Sequence, residues 1–302
     1  MDGSDLRCRF HAWWFHGYNN AFARAAHRGE YGRRSVGLGG NIGQSLRSME
    51  IGAMPSSRYE ADNEDAGNGS LMRLSPVPVR FFYDANGAAR ATARESSYAT
   101  HPGPIAACAC EFFSYLTASA ISDKDLPADC PSSANVKAWI DAKVKNFLRI
   151  ADSDPAAHSG SGWEALRKLL NSSEPADSTE CNWNWRSSKL SIWRAIRNRG
   201  REYNGYPVIA GYFGAYSLDG LAMALHCVYN TTTFNDALVR CVNFNGDADS
   251  TGSMVGQLAG AMYGFNSIEE RMRANLERWD PLGRVALRGA LLFDLALAES
   301  EK

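Results

Sequence analysis

Apolar residues in this chain recur at helical intervals. Phe234, Ala237, Leu238, Cys241 and Val242 follow the i, i+3, i+4, i+7, i+8 spacing of one buried helix face. Leu218, Leu221, Ala222 and Leu225 repeat it just before, and Met254, Val255, Leu258, Ala259 and Met262 just after. Strand-like alternation is scarce. Residues 77–82 come nearest to it, and they fit the continuation of a helix equally well. Polar or Gly/Pro-rich breaks fall near 29–40, 55–68, 127–133, 152–162 and 171–182, and apolar faces continue across them. The pattern predicts an all-α fold. It would be one compact domain over residues 1–302, with roughly ten or more helices and irregular loops at one end.

Gly252, Gly256, Gly260 and Gly264 recur every fourth residue. Glycine inside a helix costs up to about 1 kcal/mol relative to alanine, so the stripe predicts close approach by a neighbouring helix or loop. With 302 residues, 45% of them hydrophobic, the chain is long enough to bury a sizeable core. Net charge is −1 and no basic patch is present, which argues against nucleic acid as a partner. The N-terminus is polar and acidic, unlike a signal peptide, and no apolar run is expected to reach membrane-spanning length. Seven widely spaced cysteines predict reduced thiols in a cytoplasmic setting. Cys108 and Cys110 would fall on different faces of a helix, as small core residues rather than zinc ligands.

Two loops carry candidate chemistry. Asn245-Gly246-Asp247-Ala248-Asp249-Ser250-Thr251-Gly252 packs two carboxylates and two hydroxyls into five residues where a loop turns into a helix. Oxygen donors of this kind suit Mg²⁺, Mn²⁺ or Ca²⁺. On an extended loop Asp247 and Asp249 would point the same way. Asp249 or Ser250 would serve equally as a helix cap. Asp65-Ala66-Gly67-Asn68-Gly69-Ser70-Leu71-Met72-Arg73 places two glycines just before a helical run. That arrangement suits either a capped turn or backbone N–H groups offered to a phosphate.

Together these loops resemble the ADP-ribosylglycohydrolase family, which includes hydrolases that strip ADP-ribose from modified arginine. Ala66-Gly67-Asn68-Gly69-Ser70-Leu71-Met72-Arg73-Leu74-Ser75-Pro76 is similar to the family's A-G-N-G-S-[LI]-M-R-[LI]-x-P block. Asn243 to Gly252, with Gly256-Gln257-Leu258-Ala259-Gly260-Ala261 and Tyr263-Gly264, is similar to its N-x-G-G-D-A-D-T-T-G-x-x-x-G-Q-x-A-G-A-x-Y-G block. Weaker matches lie at residues 14–20, at Thr100-His101-Pro102 and at residues 211–222. The resemblance implies a compact all-α domain with a dinuclear Mg²⁺ or Mn²⁺ site at one end. Asp247, Asp249 and Ser250 would be metal ligands, with Ser250 replacing the usual Thr. Asp249 would also take part in catalysis. Gly67, Asn68, Gly69 and Ser70 would line the diphosphate and ribose, with His101 nearby and Asp65 as candidate general base. Tyr212, Phe213 or Tyr216 would stack on base or ribose, or pack in the core. The implied partner is an ADP-ribosylated protein or ADP-ribose derivative, with no nucleic acid or membrane.

The chain departs from the family pattern at its start. The family's G-D-x-x-G and D-D-T segments are not found, so the domain reads as beginning after them, and Asn41 stands where relatives often carry Asp. Two aspartates and one hydroxyl do not fill two octahedral sites. The leading expectation is a metal-dependent ADP-ribosyl glycohydrolase. The alternatives are an ADP-ribose or nucleotide binder without turnover, and a structural protein that keeps only the fold. Trp183, Trp185 and Trp193 are expected to anchor a loop to the helical body rather than to stack on adenine. Asp219 is expected to be a first-turn helix acid.

Overall fold

The computed structural model describes residues 1–19, 35, 37–62, 66–123, 126, 132–171, 183–199, 202–203, 206–207 and 209–301. Fourteen α-helices lie among them: α1 Gly3–His16, α2 Gly40–Arg47, α3 Gly69–Met72, α4 Pro76–Arg80, α5 Ala88–Tyr98, α6 Pro104–Ser122, α7 Ser133–Asp152, α8 Ser161–Asn171, α9 Ile192–Arg199, α10 Ser217–Tyr229, α11 Phe234–Val242, α12 Ala248–Tyr263, α13 Glu270–Glu277 and α14 Arg284–Ser300. One short antiparallel pair, Glu202–Tyr203 with Tyr206–Pro207, interrupts the helical order. The all-α expectation holds. Residues 77–82, left open between strand and helix, resolve as the end of α4 and a following 3-10 turn, Phe82–Asp84.

Two helices form the centre. Helix α6 starts at Pro104, whose fixed φ suits a first helical position, and is apolar nearly all round. By length and composition it could cross a membrane, which corrects the expectation that no apolar run reaches that length. Here it is the core helix, packed by α5, α8, α12 and α10. Cys108 and Cys110 are buried within it as free thiols. Its one acid, Glu111, is buried and takes Arg90 and Arg94 of α5, each at 2.6 Å. Such a pair holds register, because removing one partner leaves a buried charge uncompensated. Helix α10 is buried along its whole length, and α12 lies against both α10 and α6.

The glycine stripe of α12 behaves differently from expectation. A Cβ at Gly256 or Gly264 would meet nothing within 4 Å, and at Gly252 and Gly260 only ordinary contacts of 3.7 and 3.9 Å. A four-residue step overshoots one helical turn, so the stripe slides off the buried face. Met254, Val255, Leu258, Ala259 and Met262 carry that face instead. Close backbone approach occurs elsewhere, at Gly3, Gly162, Gly214 and Gly220.

Trp183 and Trp185 are buried anchors, donating from Nε1 to Asp219 Oδ1 at 3.1 Å and Leu169 O at 3.0 Å. Trp193 is 75% exposed and anchors nothing of the kind expected. Asp219 does sit in the first turn of α10. It is buried, and both its oxygens accept from Arg199 at 2.6 and 2.8 Å.

Candidate functional site

Three loops converge at one end of the helical body. The first, residues 66–69, runs beside residues 213–217 as a short antiparallel contact. Asn68 N donates to Ala215 O at 2.9 Å, and Ser217 N donates to Ala66 O at 2.8 Å. The third is the acidic turn before α12. Asn245 and Gly246 both adopt left-handed backbone, which turns the chain sharply out of α11. Asp247 N then donates to Phe213 O at 3.0 Å.

Asn68 is the central tie. Its side-chain amide donates to Gly214 O at 2.8 Å and to Asp247 Oδ2 at 2.5 Å. Gly214 has φ +103°, and a Cβ there would sit 2.7 Å from Thr251 Cγ2. Only glycine fits this backbone and this approach. From α12, Gln257 Nε2 donates to Leu71 O at 3.1 Å and Met72 O at 3.0 Å, filling carbonyls at the end of α3.

Asp247 is the N-cap of α12, yet its side chain makes no capping bond. Asp249 and Ser250 lie inside the first helical turn, not on an extended loop. The two carboxylates still come together across that turn. Burial raises the Asp247 carboxyl above the ordinary value, neighbouring Asp249 raises it further, and hydrogen bonds from Asn68 and Ser250 oppose the shift. A capping role would point the carboxylate at backbone N–H groups. Here it faces Asn68 and the cavity instead.

The cavity measures about 320 Å³, within the range of small-molecule sites. Its walls include Gly67, Asn68, Gly69, His101, Asp247, Asp249 and Ser250, all expected at the site. Leu38, Gly39, Gly40, Asn41 and Ile42 close another side. Ser70 lies behind the wall, where it is fully buried and accepts from Ser97 Oγ at 2.9 Å. Tyr212 is 52% exposed on a 3-10 turn and is not among the lining residues; Phe213 and Tyr216 are core residues. Asp65 lies outside the described residues. The phosphate-cradle expectation is weakened, because α3 is only four residues long and Asn68 N is already engaged by Ala215. Gly214 and Ala215 were missed as site builders. Their signal is a positive φ and a backbone pairing, neither visible in residue type.

As donors, Asp247, Asp249 and Ser250 are hard oxygens and suit one divalent cation whose remaining positions go to water or substrate. Among the described residues a second cation is not provided for. Among the described residues no group of three or more His, Cys, Asp or Glu could hold a metal ion.

Comparison with known proteins bears on the family and the fold. The family model ADP-ribosylglycohydrolase matches residues 1–301. A curated relative, ADP-ribosyl-[dinitrogen reductase] glycohydrolase of Rhodospirillum rubrum, is 40% identical over 67 residues, 22% of this chain and 23% of its own length. ADP-ribosylarginine hydrolase Tri1 of Serratia proteamaculans (strain 568) is 35% identical over 71 residues, 24% of this chain and 19% of its own. The matched stretch thus spans about a fifth of these relatives. A solved structure, "ADP-ribosylglycohydrolase-related protein complex", superposes with TM-score 0.56 at 21% identity, over 98% of this chain and 75% of that one, which shows the shared fold. With the family model matching residues 1–301 and the fold shared, this chain belongs to the ADP-ribosylglycohydrolase family.

Proposed function

We propose that this chain hydrolyses an ADP-ribosyl glycosidic bond in the cytoplasm, releasing ADP-ribose from a modified protein or small molecule. The observation that carries this reading is the 2.5 Å bond from Asn68 to Asp247, which joins the glycine loop to the acidic turn on one cavity wall. The named relatives act on ADP-ribosylated dinitrogen reductase and ADP-ribosylarginine, so an arginine linkage is the first substrate to test.

Asp247, Asp249 and Ser250 would hold one Mg²⁺ or Mn²⁺, which when bound supplies Lewis-acid polarisation of substrate oxygens. Gly67 and Gly69 put no side chain on their part of the cavity wall, which leaves room for the ADP-ribose beside the acidic turn. Asn68 keeps that loop at one spacing from the acidic turn. A fixed spacing holds the ribose carbon in line with the attacking water and lowers the entropic part of the barrier. As water adds, the bond to the guanidino nitrogen breaks. A base takes the water proton, the bonding pair goes to the guanidino nitrogen, and the proton is passed on to the departing neutral guanidine, which ends as guanidinium. Asp65, three residues before Asn68 in the chain, is the proposed base.

The test is ADP-ribose release from ADP-ribosylarginine in Mg²⁺ and again in excess EDTA. Release that disappears in EDTA is the expected result. No release in either condition from folded protein overturns hydrolysis of this linkage. Calorimetric binding of ADP-ribose would then support the binding reading.

A further inference from the structure

We propose that Arg73 and Thr100 are positioning residues that lock His101 in one tautomer, so that it presents Nε2–H to the cavity as a hydrogen-bond donor. Its link to turnover rests on the hydrolase reading above; the tautomer does not.

The argument is donor counting. Arg73 Nη2 donates to Thr100 Oγ1 at 2.9 Å, and Thr100 Oγ1 lies 2.8 Å from His101 Nδ1. Thr100 is fully buried and His101 is 1% exposed. Thr100 has a single hydroxyl proton, and one of its lone pairs already accepts from Arg73. Were Nδ1 protonated, two N–H groups would converge on Oγ1. The Thr100 proton would then have no acceptor among the described residues. Leaving a buried polar group unmade costs more than a bond returns. The hydroxyl therefore donates to Nδ1, and the ring proton sits on Nε2.

Nε2 lies toward the glycine loop, since a Cβ on Gly69 would be 3.2 Å from it, and His101 lines the cavity. Arg73 is also unusual. Its other bonds go to Ser96 Oγ at 2.8 Å and Ser96 O at 2.7 Å, and no carboxylate pairs with it among the described residues. Burial without an acid is costly, so the fold retains a charge it would be cheaper to lose. Burial foremost, with the Arg73 charge adding to it, pushes His101 down to about 3 and keeps the ring neutral. A neutral ring with its free nitrogen turned inward to Thr100 cannot take a proton from substrate. It can donate to a phosphate or ribose oxygen.

The test is long-range ¹H–¹⁵N correlation spectroscopy of the ¹⁵N-labelled full chain at pH 5, 6 and 8, with H101N identifying the signal. The expected pattern is unprotonated Nδ1 and protonated Nε2 throughout. A protonated Nδ1, or an imidazolium at pH 6, overturns the proposal whether or not any variant folds. T100V should mix the tautomers and weaken ADP-ribose binding about tenfold, the loss expected for one hydrogen bond. T100S should restore both. An unchanged tautomer in folded T100V overturns the role of Thr100. If wild-type His101 shows the expected pattern while the protein neither binds nor cleaves ADP-ribose conjugates, the hydrolase reading fails and the positioning stands.

Discussion

Asp247 carries opposed demands. The proposed hydrolysis needs a charge on the cavity wall, while burial and the adjacent Asp249 both disfavour that charge. Asn68 offsets part of the cost. This asymmetry makes the residue separable from folding. Asp247→Asn keeps the shape and removes the repulsion. We expect ADP-ribose release to fall at least ~100-fold. The melting temperature should stay within about 2 °C of wild type, or rise. A large loss of melting temperature would make Asp247 a structural residue instead. Asn68→Ala should do the opposite. It strips a partner from Gly214 O and Asp247 Oδ2 at once, so a loss of roughly 1–3 kcal/mol in a denaturant titration is expected alongside lost activity.

At the scale of elements, two glycines test which backbone positions are constrained. Gly214 links the 213–217 segment to α12 with φ +103° and a neighbour 2.7 Å from any Cβ. Gly214→Ala should destabilise by about 1–3 kcal/mol and shift the cavity wall. Gly256 lies in the interior of α12 with open space beside it. Gly256→Ala should stabilise by roughly 0.5–1 kcal/mol, through helix propensity and a stiffer unfolded chain. Chemical denaturation of the two variants checks both signs. The contrast also shows what residue order conveys. The spacing of Leu218, Leu221, Ala222 and Leu225 located α10, because periodicity reports burial directly. The acidic turn and the glycine loop were legible as donor types and as a family pattern. Their meeting was not, because it depends on Asn68 reaching a residue distant in sequence. Regular spacing misled at Gly252, Gly256, Gly260 and Gly264, where the period-four stripe runs off the packed face. Tyr212, expected to stack on base or ribose, is half exposed on a 3-10 turn and does not line the cavity.

For the whole molecule, two buried histidines among the described residues contribute to the response to acid. His226 is fully buried. Its Nδ1 faces Trp185 O at 3.1 Å, and its Nε2 takes Arg240 Nε at 3.1 Å. The carbonyl needs a donor and the guanidinium needs an acceptor, so the neutral ring with its proton on Nδ1 satisfies both. Burial first, then Arg240, lowers its pKa from 6.5 to about 4, while His101 falls from 6.5 to about 3. Well above pH 6.5 both rings are neutral in the folded and the unfolded chain, and their contribution is fully present. Below pH 6.5 the unfolded chain takes up protons that the folded one refuses, so stability declines with falling pH until the folded pKa is reached. At pH 5 the deficit is about 2 kcal/mol for each ring, from roughly 1.4 kcal/mol per pH unit. The melting temperature should therefore drop by several degrees between pH 7 and pH 5. His226→Gln retains an acceptor for Arg240 and a donor for Trp185 but cannot titrate. It should recover about half of that drop while remaining folded at pH 7. If His226→Gln loses as much melting temperature as wild type over this interval, acid sensitivity arises elsewhere, and Glu111, held against its burial below the usual carboxylate range by Arg94, His158 and Arg90, is the next group to test at lower pH.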